Sequence, residues 1–327
     1  MKQASEKSAW CELPALGLLL SVFLLVLLVP ASSSWGQAFP FPFKFDKFEF
    51  DVPFKVDDFS DPFMKKIFGE PGSDKQALAK INVSIADERK VGENQFQAYR
   101  KYLESQKIQL TSQGRDVVYL KKLVARLRPL MQNQQRYPEI RIHVARSSIT
   151  DARSFPGGQV IVYRGLLGFV ENEAALVGIL GHELSHIDRQ HQLQKLRNAR
   201  LAESKLNDGA IGLNKFFNVG QLMMKSFMTP FSSELEKEAD LDGASWCFQL
   251  GYDPLQMAQV FRRLHERDKG RQVPLPSFLR SHPFHIDRFK AIQDERNRLV
   301  KTNPDRELVI GRANLRQRKP RPFAGAR

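Results

Sequence analysis

The stretch GILGHELSHIDRQH, residues 178–191, decides how the chain is interpreted. It contains three of the chain's seven His residues, and Glu183 follows the first of them. The three histidines are His182, His186 and His191. We predict that they lie on one long helix from about residue 171 to about residue 200. Side chains four positions apart on a helix project from adjacent turns toward one side, so His182 and His186 are expected to point the same way.

Two imidazoles placed in this way are suited to hold one Zn²⁺, each at about 2.0–2.1 Å. Glu183 is expected to face the same pocket without coordinating the metal, which is the His-Glu-x-x-His arrangement of zinc peptidases. This short pattern arises by chance in about one in a hundred chains of this length, taking average residue frequencies. The assignment therefore depends on a further ligand elsewhere in the chain.

A catalytic zinc site needs a third protein ligand and an open position for water. The metzincin pattern requires a Gly three residues after the second His and a His three residues later, where this chain has Arg189 and Gln192. That class is excluded. His191 is one residue out of place and is predicted to lie on the wrong side of the helix, which favours a supporting or surface role over metal ligation.

The stretch SSELEKEADLDGASWC, residues 232–247, offers the better third ligand on a second predicted helix, from about residue 233 to about residue 250. Glu236 and Asp240 are four apart, so Glu236 is placed to bind the metal while Asp240 accepts a hydrogen bond from the distal nitrogen of a ligand His. Glu238 is the alternative ligand, although its angular offset from Asp240 suits it less. The competing interpretation is a solvated acidic helix face, because Glu234, Glu236 and Glu238 alternate.

Other segments predict a mainly helical α+β fold with a small sheet. EIRIHVARSS, residues 139–148, alternates apolar and polar residues as a strand does. A Pro-Gly-Gly turn at residues 156–158 precedes a second predicted strand, QVIVY, residues 159–163. We expect a substrate peptide to pair with an exposed edge of QVIVY through main-chain hydrogen bonds. Further helices are predicted in four segments, residues 87–110, 116–132, 253–269 and 283–300.

Four stretches together carry a specific family resemblance: FPGGQVIVYRGLL, GILGHELSHIDRQH, ELEKEADLDGA and SHPFHIDRF. In this order they resemble the family of membrane-associated zinc metallopeptidases that includes HtpX and the CAAX prenyl endopeptidases, and within it the exported, BepA-like periplasmic members. The resemblance implies a zincin-like domain whose small sheet packs on the active-site helix. It also implies one Zn²⁺ per chain, bound by His182, His186 and Glu236, with Glu183 as the base and Asp240 orienting a ligand.

His282 and Arg288 match the family's His-Pro and downstream Arg. The resemblance implies a catalytic role for both, near the substrate or the developing oxyanion; the alternative is that they close the C-terminal helix onto the core. One departure stands out, because TDARSFPGG, residues 150–158, replaces the family's Asn-Ala-Phe before Pro-Gly-Gly. We expect Asp151 and Arg153 to lie beside the cleft and to affect substrate preference.

The ends of the chain differ in composition from its middle. Residues 1–38 are predicted to be a signal peptide, with an apolar run, a Pro and a small-residue site cut after Ala38. An uncleaved membrane anchor is the alternative, although about fifteen apolar residues is short for a span, which needs about twenty. Residues 39–85 are predicted to form a Phe/Pro-rich extended tether, residues 86–300 the metallopeptidase domain and residues 301–327 a basic, solvated tail. Cys247 is expected to be a core residue.

The net charge of +14 favours anionic partners, either a membrane surface or nucleic acid. Export argues against nucleic acid, so we expect peripheral membrane contact at most. The sequence thus predicts an exported, periplasmic zinc endopeptidase that cleaves misfolded or unassembled proteins of the cell envelope. The alternative is a chaperone-like assembly factor with a weakly active or structural zinc site; the intact Glu183 argues against it.

Overall fold

A computed structural model describes residues 83–194, 197, 230–271, 278–283 and 286–322. The predicted signal peptide, nearly all of the predicted tether and residues 198–229 lie outside the described residues. No helix in the described part of the chain is long and apolar enough to cross a bilayer.

The described residues form a mainly helical structure with one small sheet, which confirms the predicted α+β class. The helices are α1 Ile85–Ser105, α2 Arg115–Leu127, α3 Arg164–Phe169, α4 Glu173–Asp188, α5 Ser233–Gln249, α6 Leu255–Asp268, α7 Phe278–Ser281, α8 Ile286–Thr302 and α9 Arg312–Gln317. The strands are β1 Leu110–Thr111, β2 Arg141–Ala145, β3 Ala152–Phe155 and β4 Gln159–Tyr163.

The sheet has the strand order β1-β2-β4-β3. β2 and β4 are parallel, and the other two pairs are antiparallel. β4, the predicted strand QVIVY, is therefore hydrogen-bonded on both sides, and the expectation that its edge receives substrate is wrong. The edge strand on that side is β3, which was not predicted because its sequence, ARSF, is short and does not alternate apolar with polar residues.

The sheet lies between two apolar layers, and successive residues of β4 face opposite ones. Val160 and Val162 belong to the main core, which they share with side chains of α2 and α4. Ile161 and Tyr163 belong to a smaller cluster with Phe96 and other side chains of α1. This alternation follows from the period of two in a strand. The packing of Val160 and Val162 in the main core fixes the sheet beside α4, which carries the two motif histidines.

Glycines allow α4 and α5 to cross with their backbones in contact. A Cβ at Gly243 of α5 would lie 2.8 Å from the Gly178 carbonyl oxygen and 2.9 Å from the His182 nitrogen. A Cβ at Gly181 would lie 3.0 Å from the Gly243 Cα. Only glycine fits such an approach without a shift of the backbone. The crossing brings the acidic side chains of α5 to the histidines of α4.

The helix carrying the motif is shorter than predicted, since α4 ends at Asp188 and not near residue 200. Gln190 adopts a left-handed conformation with φ of 58°, and the chain is helical again at residues 191–194. The Asp188 carboxylate accepts backbone N–H groups of Gln132 (2.8 Å) and Asn133 (2.7 Å), which fixes this end of the helix. No Gly or Pro marks the break in the sequence, so the apolar pattern did not predict it.

The C-terminal segment is docked, so the expectation of a solvated tail is wrong for residues 312–322. Leu315 of α9 is buried in the main core. The Arg321 backbone N–H donates to Glu173 Oε1 at 2.9 Å, and Tyr119 and Tyr252 donate their hydroxyl groups to the same carboxylate. The prediction for Cys247 is confirmed, because its side chain is fully buried.

Candidate active site

Four buried side chains meet where α4, α5 and the α7–α8 region come together. His182, His186, Glu236 and His282 each present one donor atom, and these atoms all lie within 4.8 Å of one another. His182 Nε2 is 3.0 Å from His186 Nε2 and 3.1 Å from His282 Nδ1. The structure thus brings together the three predicted ligands, which come from segments some fifty residues apart in the chain.

The contact of His182 with Asp240 determines which ring nitrogen of His182 faces the cluster. His182 Nδ1 lies 2.9 Å from Asp240 Oδ1, and Arg288 donates to the same carboxylate through Nε (2.6 Å) and Nη2 (2.8 Å). Burial alone would raise the pKa of Asp240, but the Arg288 guanidinium outweighs it and lowers that pKa. An ionised Asp240 only accepts hydrogen bonds, so His182 carries its proton on Nδ1 and its lone pair on Nε2.

The contact with His191 determines which nitrogen of His186 faces the cluster. His191 Nδ1 lies 2.9 Å from His186 Nδ1, and His191 Nε2 lies 3.3 Å from Glu238 Oε2. Burial and the nearby Arg189 lower the pKa of His191 to about 3, so the ring is neutral. With Glu238 accepting from Nε2–H, His191 Nδ1 accepts a hydrogen bond from the Nδ1–H of His186, which leaves the lone pair of His186 on Nε2.

These assignments make a cation fit the cluster. Two imidazole lone pairs face each other 3.0 Å apart, so these two nitrogens cannot hydrogen-bond to each other, whereas a shared cation can bind both. Both carboxylate oxygens of Glu183 and Oε2 of Glu236 are also buried without a hydrogen-bond partner among the described residues. Oε2 of Glu236 has Arg288 Nη1 at 2.8 Å as an ionic contact only. Imidazole nitrogens with a carboxylate oxygen are a donor set that zinc accepts.

Charges around Glu236 keep it ionised. Burial would raise its pKa, but His282 and Arg288 outweigh burial and lower the pKa of Glu236 to about 2. The converse holds for His282, where burial is outweighed by the Glu236 and Glu183 carboxylates and the pKa rises to about 9. Glu236 is therefore a charged ligand candidate at neutral pH.

The two alternatives for the acidic helix are separated by position. Glu236 is 1% exposed and lies in the cluster, so the solvated-face interpretation does not describe it. The Glu238 side chain is 47% exposed and contacts His191 and Arg189, outside the cluster. Glu238 acts on the predicted ligand His186 indirectly, by accepting a hydrogen bond from His191. The sequence did not predict this contact, because His191 was assumed to lie on a continuous helix.

His282 and Arg288 differ in what they contact: only His282 reaches the predicted base, Glu183. His282 Nδ1 is 2.9 Å from Glu236 Oε1 and its Nε2 is 3.2 Å from Glu183 Oε1, so the ring touches both the ligand set and the predicted base. Arg288 contacts the carboxylates of Asp240 (2.6 Å) and Glu236 (2.8 Å) and no other residue of the cluster among the described contacts. Its contacts favour the interpretation in which it fixes α8 to the site, while the role near substrate stays a prediction.

Asp151 and Arg153 form a buried ion pair at the edge strand, with Arg153 Nε 3.0 Å from Asp151 Oδ2. Arg153 lies 5.5 Å above the ring of Tyr99 of α1, in the smaller apolar layer. Burial raises the pKa of Asp151, opposed by Arg153 and by His282, whose charge reaches it. Asp151 thus lies near the cluster, whereas Arg153 is directed toward α1.

Comparison with known proteins agrees with this geometry. Residues 119–296, more than half of the 327-residue chain, match the sequence model of peptidase family M48. The chain belongs to peptidase family M48. All the predicted site residues fall inside the matched region, and the predicted resemblance to this group of metallopeptidases is confirmed.

Several characterised M48-type proteins are similar to the chain. The mitochondrial metalloendopeptidase OMA1 of Schizosaccharomyces pombe is 26% identical over 154 residues, covering 47% of this chain and 45% of that protein. The β-barrel assembly-enhancing protease of Escherichia coli (strain K12) is 26% identical over 165 residues, covering 47% of this chain and 33% of that protein. OMA1 of Bos taurus is 28% identical over 162 residues, covering 45% and 30%. The match therefore spans less than half the length of each relative.

Proposed function

We propose that this M48 chain is a zinc-dependent endopeptidase that is exported and cleaves misfolded or unassembled proteins. The observation that carries the proposal is the convergence of His182, His186 and Glu236, with the lone pairs of both histidines turned inward and Glu183 beside them. When bound, zinc supplies Lewis acidity toward a peptide carbonyl and makes water acidic enough to lose a proton near pH 7.

Glu183 is the residue that moves the proton. Its carboxylate is buried, with His282 Nε2 3.2 Å from Oε1 as an ionic contact and no hydrogen-bond partner for either oxygen among the described residues. We propose that Oε2 takes a proton from the attacking water and gives it to the departing amine nitrogen. Asp240 and His191 hold the two ligand rings in the required tautomers. Arg288 keeps Asp240 and Glu236 ionised.

β3 replaces β4 as the strand proposed to bind substrate. The Tyr163 N–H donates to the Asp151 carbonyl at 3.0 Å, so residues 151, 153 and 155 direct their backbone groups toward β4. Ala152 and Ser154 direct theirs away from the sheet. The Ala152 N–H donates to Asp151 Oδ1 at 3.0 Å, and Gln192 Nε2 lies 3.4 Å from the Ser154 carbonyl oxygen, so a substrate strand must replace both side chains as partners. Main-chain pairing of this kind suits unfolded segments of varied sequence.

The natural substrates and location are part of the proposal. The leader-like segment at residues 1–38 supports export, and the name of the E. coli relative refers to β-barrel assembly. We therefore propose misfolded or unassembled envelope proteins as substrates and the bacterial periplasm as the location, with an uncleaved N-terminal anchor as the alternative. The +14 charge supports peripheral contact with an anionic membrane and no nucleic-acid role is proposed.

A second candidate function rests on His282. Structural zinc sites are closed by four protein ligands, and this cluster offers four donors. A chaperone-like assembly factor with a structural site would have this donor set. The buried Glu183 carboxylate, whose only close contact is the ionic one with His282 among the described residues, favours the peptidase, because a structural site requires no buried base.

One substitution distinguishes the peptidase from the chaperone-like protein with a structural zinc site. Glu183→Gln is expected to bind zinc with the stoichiometry of the wild type and to lose cleavage of unfolded casein by a factor of about 10² or more. Glu266→Gln, which removes an exposed carboxylate on α6, is the matched control and is expected to retain activity. Undiminished cleavage by the Glu183 variant would count against the peptidase and leave the structural site.

A further inference from the structure

A basic cavity of about 670 Å³ opens between the start of α2, the end of β2, α3 and α9. No residue of the candidate active site lines it. Five arginines do, from four separate segments of the chain: Arg115, Arg146, Arg164, Arg316 and Arg318. We call these five residues the arginine cluster. Two of its members, Arg316 and Arg318, line the cavity because the C-terminal segment docks on α2.

The charges of the cavity lining do not cancel. Asp116 and Glu171 are the two acidic residues of the lining, which leaves a net charge of +3 from five guanidinium groups and two carboxylates. Asp116 accepts from Arg318 Nε at 2.7 Å and has Arg164 Nε at 3.9 Å. Glu171 pairs with Arg263, which lies outside the lining. Both carboxylates are therefore already engaged, and the excess charge is positive.

Most hydrogen-bond donors of the arginine cluster remain open. Arg115 donates to the Gln317 carbonyl (2.7 Å) and Arg146 to Gln109 Oε1 (3.1 Å). The Arg316 side chain makes no hydrogen bond or ion pair within the described part of the chain. Because each guanidinium has five N–H groups, these contacts use a small fraction of the donors. The cavity therefore favours a ligand that accepts from several directions.

The floor of the cavity is apolar. It is formed by side chains that belong to the main core: Val117, Val144, Leu167, Val170 and Leu315. A ligand lying on this floor places its polar atoms at the rim, against the arginine cluster. A carboxylate is satisfied by one planar guanidinium fork, whereas a tetrahedral phosphoryl group accepts from several guanidinium groups placed around it.

We propose that this cavity binds a phosphoryl group, carried either by the headgroup of an anionic lipid or by a free phosphorylated molecule. The site is separate from the proposed peptidase centre and does not depend on it. The net charge of the chain adds long-range attraction for such a ligand. Arg164 and Arg316 are the two members to change, because both are exposed and neither supports the fold through a close ion pair.

The test compares two double variants of the full chain with the same change in charge. Arg164→Glu with Arg316→Glu reverses two members of the arginine cluster; Lys121→Glu with Lys122→Glu reverses two exposed lysines of α2 that do not line the cavity. Inorganic pyrophosphate is titrated by calorimetry. Co-sedimentation is measured with vesicles of phosphatidylcholine containing phosphatidylglycerol, and with phosphatidylcholine alone.

Each result decides the proposal or the source of the phosphoryl group. The arginine variant is expected to bind about tenfold or more weakly and the lysine variant within about twofold of the wild type. Binding of pyrophosphate alone assigns a free phosphorylated ligand, binding of phosphatidylglycerol vesicles alone assigns a lipid headgroup, and binding of both supports the cavity for either. Binding of neither probe, or an equal loss in both variants, would overturn the proposal.

Discussion

Single side chains decide which histidine nitrogens face the proposed metal. Asp240 and His191 each accept a hydrogen bond from the Nδ1–H of a predicted ligand histidine. Asp240 does so as an ionised carboxylate, and His191 as a neutral ring that donates to Glu238. The role of Asp240 was predictable, because it is four residues from Glu236 on the same helix. For His191 a supporting role was one of the two predicted alternatives, but its contact with His186 was not predictable, because it requires the helix to end at Asp188 and the chain to turn at Gln190.

Loss of the Asp240 charge is expected to weaken metal binding without removing a ligand. Asp240→Asn presents an amide to both His182 and Arg288, so the tautomer of His182 is no longer fixed and zinc affinity should fall by about 10–100-fold. Competition with a chromogenic chelator measures this. Asp294→Asn on the exposed side of α8 is the control, and equal affinities for the two variants would contradict the role of Asp240.

His191 gives a prediction that the sequence alone did not. His191→Ala removes the acceptor for His186 Nδ1, and we expect zinc affinity to fall by about tenfold while the fold is retained. The same chelator competition, with circular dichroism to confirm folding, measures the effect. His265→Ala, a change at an exposed position of α6, should leave the affinity unaltered. Unchanged affinity in the His191 variant would show that the ring does not support His186.

The crossing of α4 and α5 places the residues of the site. Both helices were predicted, and the predicted bounds of α5 were nearly correct because Ser232 caps its start and Gly251, with φ of 77°, follows its end. The contact between the helices was not predictable from the period of either one. It depends on glycines in two distant segments, and a single sequence does not show that these glycines meet.

A methyl group at this crossing should separate the helices. Gly243→Ala places a Cβ within 3 Å of backbone atoms of α4, and we expect a loss of about 1–3 kcal/mol in the free energy of unfolding together with weaker zinc binding. Urea denaturation of the metal-free protein measures the first effect. Gly168→Ala on α3, where a Cβ meets nothing within 4 Å, is the control. Equal stability of the two variants would contradict the close approach.

At the scale of the whole molecule, the C-terminal segment packs against α2 and α4. Its composition alone predicted that it is solvated. A basic, Pro-containing segment has no periodic apolar face, so nothing local indicated that Leu315 is buried or that Arg321 reaches Glu173. The long-range partners that hold it, Arg126 and Asp116, lie about two hundred residues earlier. The family was predictable from motifs, and so was the convergence of His182, His186 and Glu236, whereas the docking of the C-terminal segment required the structure.

Truncation tests the closing contact. Ending the chain after Lys319 removes the Arg321 N–H from the buried Glu173 carboxylate, and we expect the free energy of unfolding to fall by about 1–3 kcal/mol. Ending it after Pro322 keeps this contact and is the matched control. Urea denaturation curves with equal midpoints for the two truncations would show that the contact does not stabilise the fold.

The central claim is that two histidines of α4 and one carboxylate of α5 bind a single zinc ion. A crystal structure of the zinc-loaded chain, with anomalous data collected at the zinc edge, measures this directly. We predict one peak, about 2.0–2.2 Å from His182 Nε2, His186 Nε2 and a carboxylate oxygen of Glu236. No peak at this position, or a peak to which Glu236 is not bonded, would contradict it.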